Sequence, residues 1–293
     1  MTRTISRILV TGASGQLGAL VIEELLKKIP ASHLIAAARD PKALVAFSRC
    51  GVETRLLDYT DQTSIDAALQ GVERLLLVSS NAIDQRLAQH RNVIEAAARA
   101  GVGLFAYTSL LHADNSSLLL AKDHVQTEAL LKASEIPYVL LRNGWYTENY
   151  TDSIGAALVH GAVLGSAGTG RIAAATRADY AAAAAAILVS DVDQAGRTYE
   201  LAGDEAFTMP EYAAEITQQS GKPVIYRDLP EAEYAAILMQ VGLPESFAAI
   251  LAQSDIGASQ GTLFDDSHQL STLIGRPTTP LREVVAKALS AVR

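Results

Sequence analysis

The chain has a single cysteine, Cys50, so no disulfide forms within it. That excludes a cross-linked scaffold and makes a reducing cytoplasm the expected compartment. Cys50 stands just before Gly51 at a predicted helix end, the setting of a structural thiol rather than a reactive one. Aromatic residues make up only 5%, and no basic run offsets a formal net charge of -8. Such a chain repels nucleic acid and anionic membrane, so neither is expected as a partner. Long apolar runs are missing too: residues 181–189 reach about half the ~18 residues of a membrane span. Arg3 and Arg7 precede only a short apolar run that continues into Thr11-Gly12, which predicts a first strand and not a secretory signal. His33, His90, His112, His124, His160 and His268 include no pair with zinc-binding spacing beside cysteines, so no metal is expected.

What the chain does have is the composition of a soluble globular protein, 49% apolar and 19% charged, with abundant alanine suited to helices packed closely on a sheet. The first half alternates short aliphatic runs with helical ones, the pattern of a parallel sheet wound with helices. Strands are predicted at 8–10, 33–38, 52–57, 75–79, 104–108 and 138–141. A helix is predicted at 16–28, and others start near Ser64, Asp84 and Leu118. Asp40-Pro41 reads as a helix cap followed by proline in the first turn, with Gly51 as the stop. After Asn143 the character changes. Glycines crowd 161–170, Thr176 and Asp179 have capping-box-like spacing before the alanine-rich helix, and Thr208-Met209-Pro210-Glu211 is a second such start. Helices beginning near Pro230, Pro244 and Pro280 follow. The expected fold class is α/β, a Rossmann-like doubly wound parallel sheet with a smaller, mainly helical second lobe. The expected division is a dinucleotide domain at 1–150, with segments returning from about 163–203, and a substrate-side lobe at 151–293.

Gly12-Ala13-Ser14-Gly15-Gln16-Leu17-Gly18 follows a strand and opens a helix. Glycines there let a turn tighten and a backbone approach pyrophosphate, while the helix start offers free N–H donors. A glycine triplet alone also fits a plain tight turn; strand before and helix after favour nucleotide binding. Strand two ends in Arg39, about 20 residues on, where a dinucleotide fold tests the adenine ribose. An acidic residue there accepts from the 2′-hydroxyl of NAD, whereas arginine pairs with the 2′-phosphate of NADP. Asp40 competes for that role, but its place before Pro41 assigns it to capping. Ser79, Ser80 and Asn81 end strand four, where small polar residues face the cleft of a parallel sheet.

Taken together, these residues resemble the atypical short-chain dehydrogenases called NmrA-like, and among them the bacterial NADPH-dependent quinone oxidoreductases of the second type. Triphenylmethane reductases look similar over the same blocks. The blocks are TGASGQLG at 11–18, HRNVIEAA at 90–97, YTSLLHAD at 107–114, LLRNGWYTENY at 140–150, ATRADYAAAA at 175–184 and LFDDS at 263–267. The resemblance implies NADPH held by the glycine turn (Gly12, Ser14, Gly15, Gln16, Leu17), by Arg39, by Ser79, Ser80 and Asn81, and by Gln85. It also implies contributions from Tyr107, Thr108, Ser109, Asn143, Gly144, Trp145, Tyr146, Asn149 and Arg171. The nicotinamide end is then expected near Asn143 and Tyr146, with Trp145 and Tyr146 as an aromatic wall for a flat substrate.

Short-chain dehydrogenases ordinarily carry a Tyr-x-x-x-Lys pair, and here no tyrosine has a lysine four positions on. NmrA-like relatives that reduce phenylpropanoids keep a lysine in a Lys-x-x-x-Glu pattern; this chain has His124 in that slot, four residues before Glu128. The expected catalytic residues are therefore Tyr146, Asn143 and His124, with His124 equally readable as a bystander. Quinones need little protein acid, because the ring is already a strong hydride acceptor and yields an aromatic hydroquinone. The expected activity is direct two-electron hydride transfer from NADPH to a small-molecule quinone. Two alternatives stand beside it: a dinucleotide-binding redox sensor of the NmrA type, and reduction of other conjugated acceptors such as triarylmethane dyes. Assembly as a homodimer is left open.

Overall fold

Ile8, Leu9 and Val10 are all buried, and a strand with no wet face needs neighbours along both edges. In the computed structural model, which describes residues 6–292, β1 (Ile8–Val10) pairs in parallel with β2 (Leu34–Ala38) and with β4 (Arg74–Leu77). β3 (Glu53–Leu56) joins β2, β5 (Leu104–Leu110) joins β4, and β6 (Tyr138–Asn143) joins β5, each again parallel. With β8 (Arg197–Leu201) at the far edge the order is β3-β2-β1-β4-β5-β6-β8. Consecutive parallel strands need helical crossovers. α1 (Gln16–Leu26), α2 (Val45–Arg49), α3 (Gln62–Ala68), α4 (Arg86–Ala100) and α5 (Ala121–Ala133) supply them. The Rossmann-like sheet expected from the sequence is present. Arg3, part of the N-terminal reading, lies outside the described residues.

Local chemistry sets the helix ends. The Asp40 carboxylate accepts from the Lys42 amide at 2.9 Å and Pro41 follows it, as the sequence predicts. The turn it caps is 3₁₀, not α, over Pro41–Leu44, and α2 only then begins. Asp61 caps α3 through the Thr63 amide, and Gly51 and Gly101 end their turns in the left-handed region open to glycine.

The chain divides into two units. The first holds the described residues up to Leu110, then Asp123–Asn143 and Arg177–Tyr199; the second holds Leu111–Lys122, Gly144–Thr176 and the chain from Glu200 onward. The boundary therefore falls at Leu110 and Asn143 rather than at 150, and 163–176 belong to the second unit. What returns to the first is α8 (Arg177–Leu188), which packs along α1 with Ala181, Ala183, Ala184 and Ala185 buried. Small side chains let the two helices approach closely, which accounts for the alanine run.

The second unit is mainly helical, with a two-stranded parallel sheet, β7 (Ala162–Gly165) with β9 (Ile225–Asp228), that the glycine-rich composition of 161–170 conceals. Thr208 and Glu211 form a complete capping box at the start of the helix Met209–Ser220. Pro230, Pro244 and Pro280 each stand immediately before a helix. Tyr150, Phe207 and Tyr212 cluster in its core, and the Tyr212 hydroxyl donates to the Tyr150 carbonyl at 2.9 Å. No helix among the described residues is long and apolar enough to cross a membrane.

One buried ion pair ties α5 to the sheet. Arg142 on β6 grips Glu128 on α5 through two hydrogen bonds, at 2.9 and 2.8 Å, and Ser109 on β5 donates to the same carboxylate at 2.6 Å. Both charged residues are buried, so removing one strands the other's charge in the interior. Arg142→Met is expected to lower unfolding free energy by about 3–5 kcal/mol in urea titrations, with Glu128→Met on the same chain restoring most of the loss.

Candidate functional site

In a parallel sheet the ligand cleft lies beyond the carboxyl ends of the strands, where the strand order reverses. Here that point is between β1 and β4, and the ends of β1, β2, β3 and β4 all contribute to one cleft of about 420 Å³ within the first unit. Gly12 leaves β1 with φ +57°, a conformation L side chains rarely adopt. A Cβ on Gly18 would lie 2.4 Å from the Gly12 carbonyl oxygen, so α1 begins pressed against the turn. Gly15 is the N-cap of α1, and its amide closes the turn onto Gly12 O at 2.9 Å. The first amides of α1 beyond it have no partner within the helix, which makes a helix start a ready donor set for an anion. Gly12, Ser14, Gly15, Gln16 and Leu17 all line the cleft.

Arg39 leaves β2 into the same cleft, while Asp40 is occupied with its cap and is not part of the lining. The end of β3 adds Asp58, Tyr59 and Thr60, which the sequence reading missed because a strand end with Asp-Tyr-Thr looks like any polar loop. Two hydrogen bonds from Thr60 hold the Asp58 carboxyl below its ordinary range, and the nearby Arg39 guanidinium adds to the effect. The Tyr59 hydroxyl lies 2.5 Å from Thr11 Oγ1 and 2.9 Å from the Val78 carbonyl, and its burial raises its pKa.

Ser79, Ser80 and Asn81 form the wall beyond β4, and Gln85 lies beside them. The amides of 78–80 do not continue the ladder. Val78 donates to Thr11 Oγ1 at 3.0 Å, Ser79 to Thr108 Oγ1 at 2.8 Å and Ser80 to His90 Nε2 at 3.0 Å. Thr108 thus acts from behind the wall. Tyr107 and Ser109 are likewise buried in β5 and outside the lining, bonded to His124 and Glu128 respectively. Arg86, Gln89, His90 and Thr127, which complete this network, escaped the sequence reading; the HRNVIEAA block was the signal available.

His124 is buried and stands behind Tyr107, whose hydroxyl lies 2.8 Å from Nδ1. Burial first, then the charge of Arg86, push its pKa well below the ordinary value. His90 is lowered to about 3 for the same two reasons. Both imidazoles are neutral near pH 7. Asn143 ends β6 with its side-chain Oδ1 buried and lacking a hydrogen-bond partner, an acceptor at the ligand end of the sheet. Gly144, Trp145, Tyr146, Asn149 and Arg171 belong to the second unit. There Ala175 brackets Tyr146, donating to Trp145 O at 3.2 Å and accepting from Thr147 N at 2.9 Å. Arg171 lies over the ring of Phe264 at 5.2 Å. No group of three or more His, Cys, Asp or Glu among the described residues is placed to hold a metal ion. The glycine turn, the helix start and the Arg39 guanidinium bring to this cleft the hydrogen-bond donors and positive charge that suit the phosphates of a dinucleotide.

The two histidines make stability depend on pH. An unfolded imidazole gains a proton as pH falls below about 6.5, and the folded ones do not. Their contribution to stability is therefore fully present above that value and is lost as pH falls below it. Asp255 in the second unit, raised by burial to about 6, works the other way between 6 and 3.8. Urea midpoints of the whole chain are expected to fall between pH 6.5 and 4.5, and His124→Gln is expected to flatten that fall. An unaltered profile in the variant would show that His124 is not held neutral.

Residues 12–191 match a family model described as NAD(P)H-binding. The chain is 56% identical to quinone oxidoreductase 2 of Escherichia coli, over 95% of this chain and 97% of that protein. The crystal structure of an NADPH-dependent quinone oxidoreductase from the same organism, complexed with NADPH, superposes with a TM-score of 0.94 at 56% identity, covering 96% of this chain and 99% of that one. Triphenylmethane reductase from Citrobacter, complexed with NADP(H), gives a TM-score of 0.92 at 38% identity, covering 96% and 99%. Matched over more than half its length and alike end to end to these relatives, the chain belongs to the NmrA-like NAD(P)H-binding family.

Proposed function

We propose that this chain is an NADPH-dependent quinone oxidoreductase that reduces its acceptor in one two-electron step. The observation that carries the reading is the convergence of the glycine turn and Arg39 on one cleft, in a chain 56% identical to a quinone oxidoreductase along nearly all its length. When bound, NADPH supplies the hydride. The first amides of α1 receive the pyrophosphate, Arg39 pairs with the 2′-phosphate, and 79–81 with Gln85 line the adenosine side. Asn143 and the adjoining Gly144, Trp145 and Tyr146, with Asn149 and Arg171, are proposed for the nicotinamide and acceptor end. Asn143 brings an unsatisfied acceptor oxygen, and Tyr146 a backbone fixed on both sides.

No protein acid is assigned. His124 is neutral, buried and bonded to Tyr107, so at neutral pH it has no extra proton to give. A quinone tolerates this, since hydride addition makes an aromatic hydroquinone whose phenolate takes its proton from water. General acid catalysis, ordinarily worth 10²–10⁴-fold, is dispensable for so activated an acceptor. The lone cysteine and the negative charge agree with a cytoplasmic enzyme, and a homodimer is the assembly to look for by light scattering.

NADPH oxidation with a panel of quinones and triarylmethane dyes tests the reading, and absence of turnover with every quinone would refute it. Arg39→Glu is expected to raise the KM for NADPH about 10- to 100-fold, the worth of a charged hydrogen bond, with little change for NADH. An unchanged NADPH KM would remove Arg39 from the site. His124→Gln is expected to keep most of its turnover with benzoquinone from pH 5 to 8. Tyr146→Ala should lose more, because displacement of a reactant by ~1 Å costs about 10²-fold.

A further inference from the structure

One residue of the cleft wall is held with unusual completeness. Ser80 meets three side chains of α4: Arg86 Nε donates to its carbonyl at 2.7 Å, Gln89 Oε1 accepts from its hydroxyl, and His90 Nε2 accepts from its amide at 3.0 Å. Positions 86, 89 and 90 are spaced i, i+3 and i+4, so they share one helical face. All four residues are buried.

The hydrogen bonds fix the state of the imidazole. Ser80 N–H is a donor, so Nε2 carries no proton and the ring proton sits on Nδ1. Nδ1–H donates to Thr127 Oγ1 at 3.0 Å, and that hydroxyl has spent its own proton on the Asp123 carbonyl at 2.8 Å. Every donor in the relay has one acceptor, running Ser80 to His90 to Thr127 to Asp123. Asp123 also faces Arg86, with Nη1 to Oδ2 at 3.7 Å. The His90 ring stands edge-on to Tyr107, with centroids 5.3 Å apart. A second proton on the imidazole would set two donors against each other at Ser80.

We propose that His90 is a positioning residue of the dinucleotide cleft, its Nδ1–H tautomer fixing Ser80 and through it the wall of Ser79, Ser80 and Asn81. The proposal rests on reading that cleft as the NADPH site. Without the imidazole, a buried amide loses its acceptor, and the wall must rotate to find another. His90 does not line the cleft, so the effect falls on cofactor binding and leaves the hydride step alone.

The test is NADPH affinity, by cofactor fluorescence, and steady-state kinetics with benzoquinone. His90→Leu is expected to bind NADPH about tenfold more weakly, the consequence of one unpaired buried donor, while kcat at saturating NADPH is retained. His90→Gln, whose Oε1 can accept from Ser80, is expected to recover most of the affinity, which a purely space-filling role would not allow. Unchanged affinity in a folded His90→Leu protein, or an equal loss in Leu and Gln, overturns the proposal. If His90→Leu does not fold, Thr127→Val carries the test: it frees the tautomer, should weaken NADPH binding at unchanged kcat, and refutes the proposal if affinity is unaltered. A wild-type protein that fails to bind NADPH would overturn the cleft reading and the proposal together, whereas normal wild-type binding with indifferent variants overturns the proposal alone.

Discussion

The first unit depends on how closely α1 begins against the turn that leaves β1. With 2.4 Å between a Cβ at position 18 and the Gly12 carbonyl, any side chain there would drive helix and turn apart. That contact aims the helix start at the point where the strand order reverses, and it leaves the first amides without partners of their own. α8 packs against the same helix, and its buried alanines leave little bulk between the two. α1 is thus held both by the turn at the sheet's switch point and by a second helix, which fixes the direction of its first amides.

The second constraint is charge. The region behind the cleft wall holds Tyr107, His90 and His124, and burial keeps all three uncharged at neutral pH. Arg86 is the cation among them, and its field adds to burial in suppressing protonation of both histidines. Neutral imidazole can accept as well as donate, and a relay of hydrogen bonds requires both. Arg86 therefore serves as a structural charge: it grips the Ser80 carbonyl directly and keeps the neighbouring rings in the state the relay requires.

Much of this was legible in the sequence where one local rule dominates. Gly12, Arg39 and the Ser79-Ser80-Asn81 segment were identifiable because strand ends and glycine turns have fixed places in a parallel sheet, and Asp40 because Asp-Pro is a capping signal. Gly12, Arg39 and 79–81 line one cleft, and Asp40 does not. What escaped has a common cause. Asp58 and Thr60 reach the cleft because β3 pairs with β2, and His90 stands behind its wall, bonded to the Ser80 amide, because α4 follows β4; both depend on distant pairing that no local pattern records. Tyr107, Thr108 and Ser109 show the converse. Their block is distinctive, yet their side chains point into buried partners. The boundary at Leu110 was hidden for a related reason, since 111–122 has an ordinary loop composition and joins the second unit only through tertiary contacts.

The Tyr107–His124 hydrogen bond bears on what such a site can reduce. A tyrosine–lysine pair works by lowering a phenol's pKa beside a cation so that a proton can be delivered to an alkoxide. Here the phenol's pKa is raised by burial and it shares a hydrogen bond with a neutral imidazole, so neither group carries an extra proton near pH 7. An acceptor that forms a localised alkoxide would find no help. One whose negative charge spreads into an aromatic ring, or whose own positive charge is cancelled by hydride, needs none. Quinones are of the first kind and triarylmethane cations of the second. On the proposed reading, a site without a protein acid can serve either kind of acceptor, and relatives similar to this chain include both a quinone oxidoreductase and a triphenylmethane reductase. Selection between the two then rests on the shape and polarity of the acceptor pocket, not on proton chemistry.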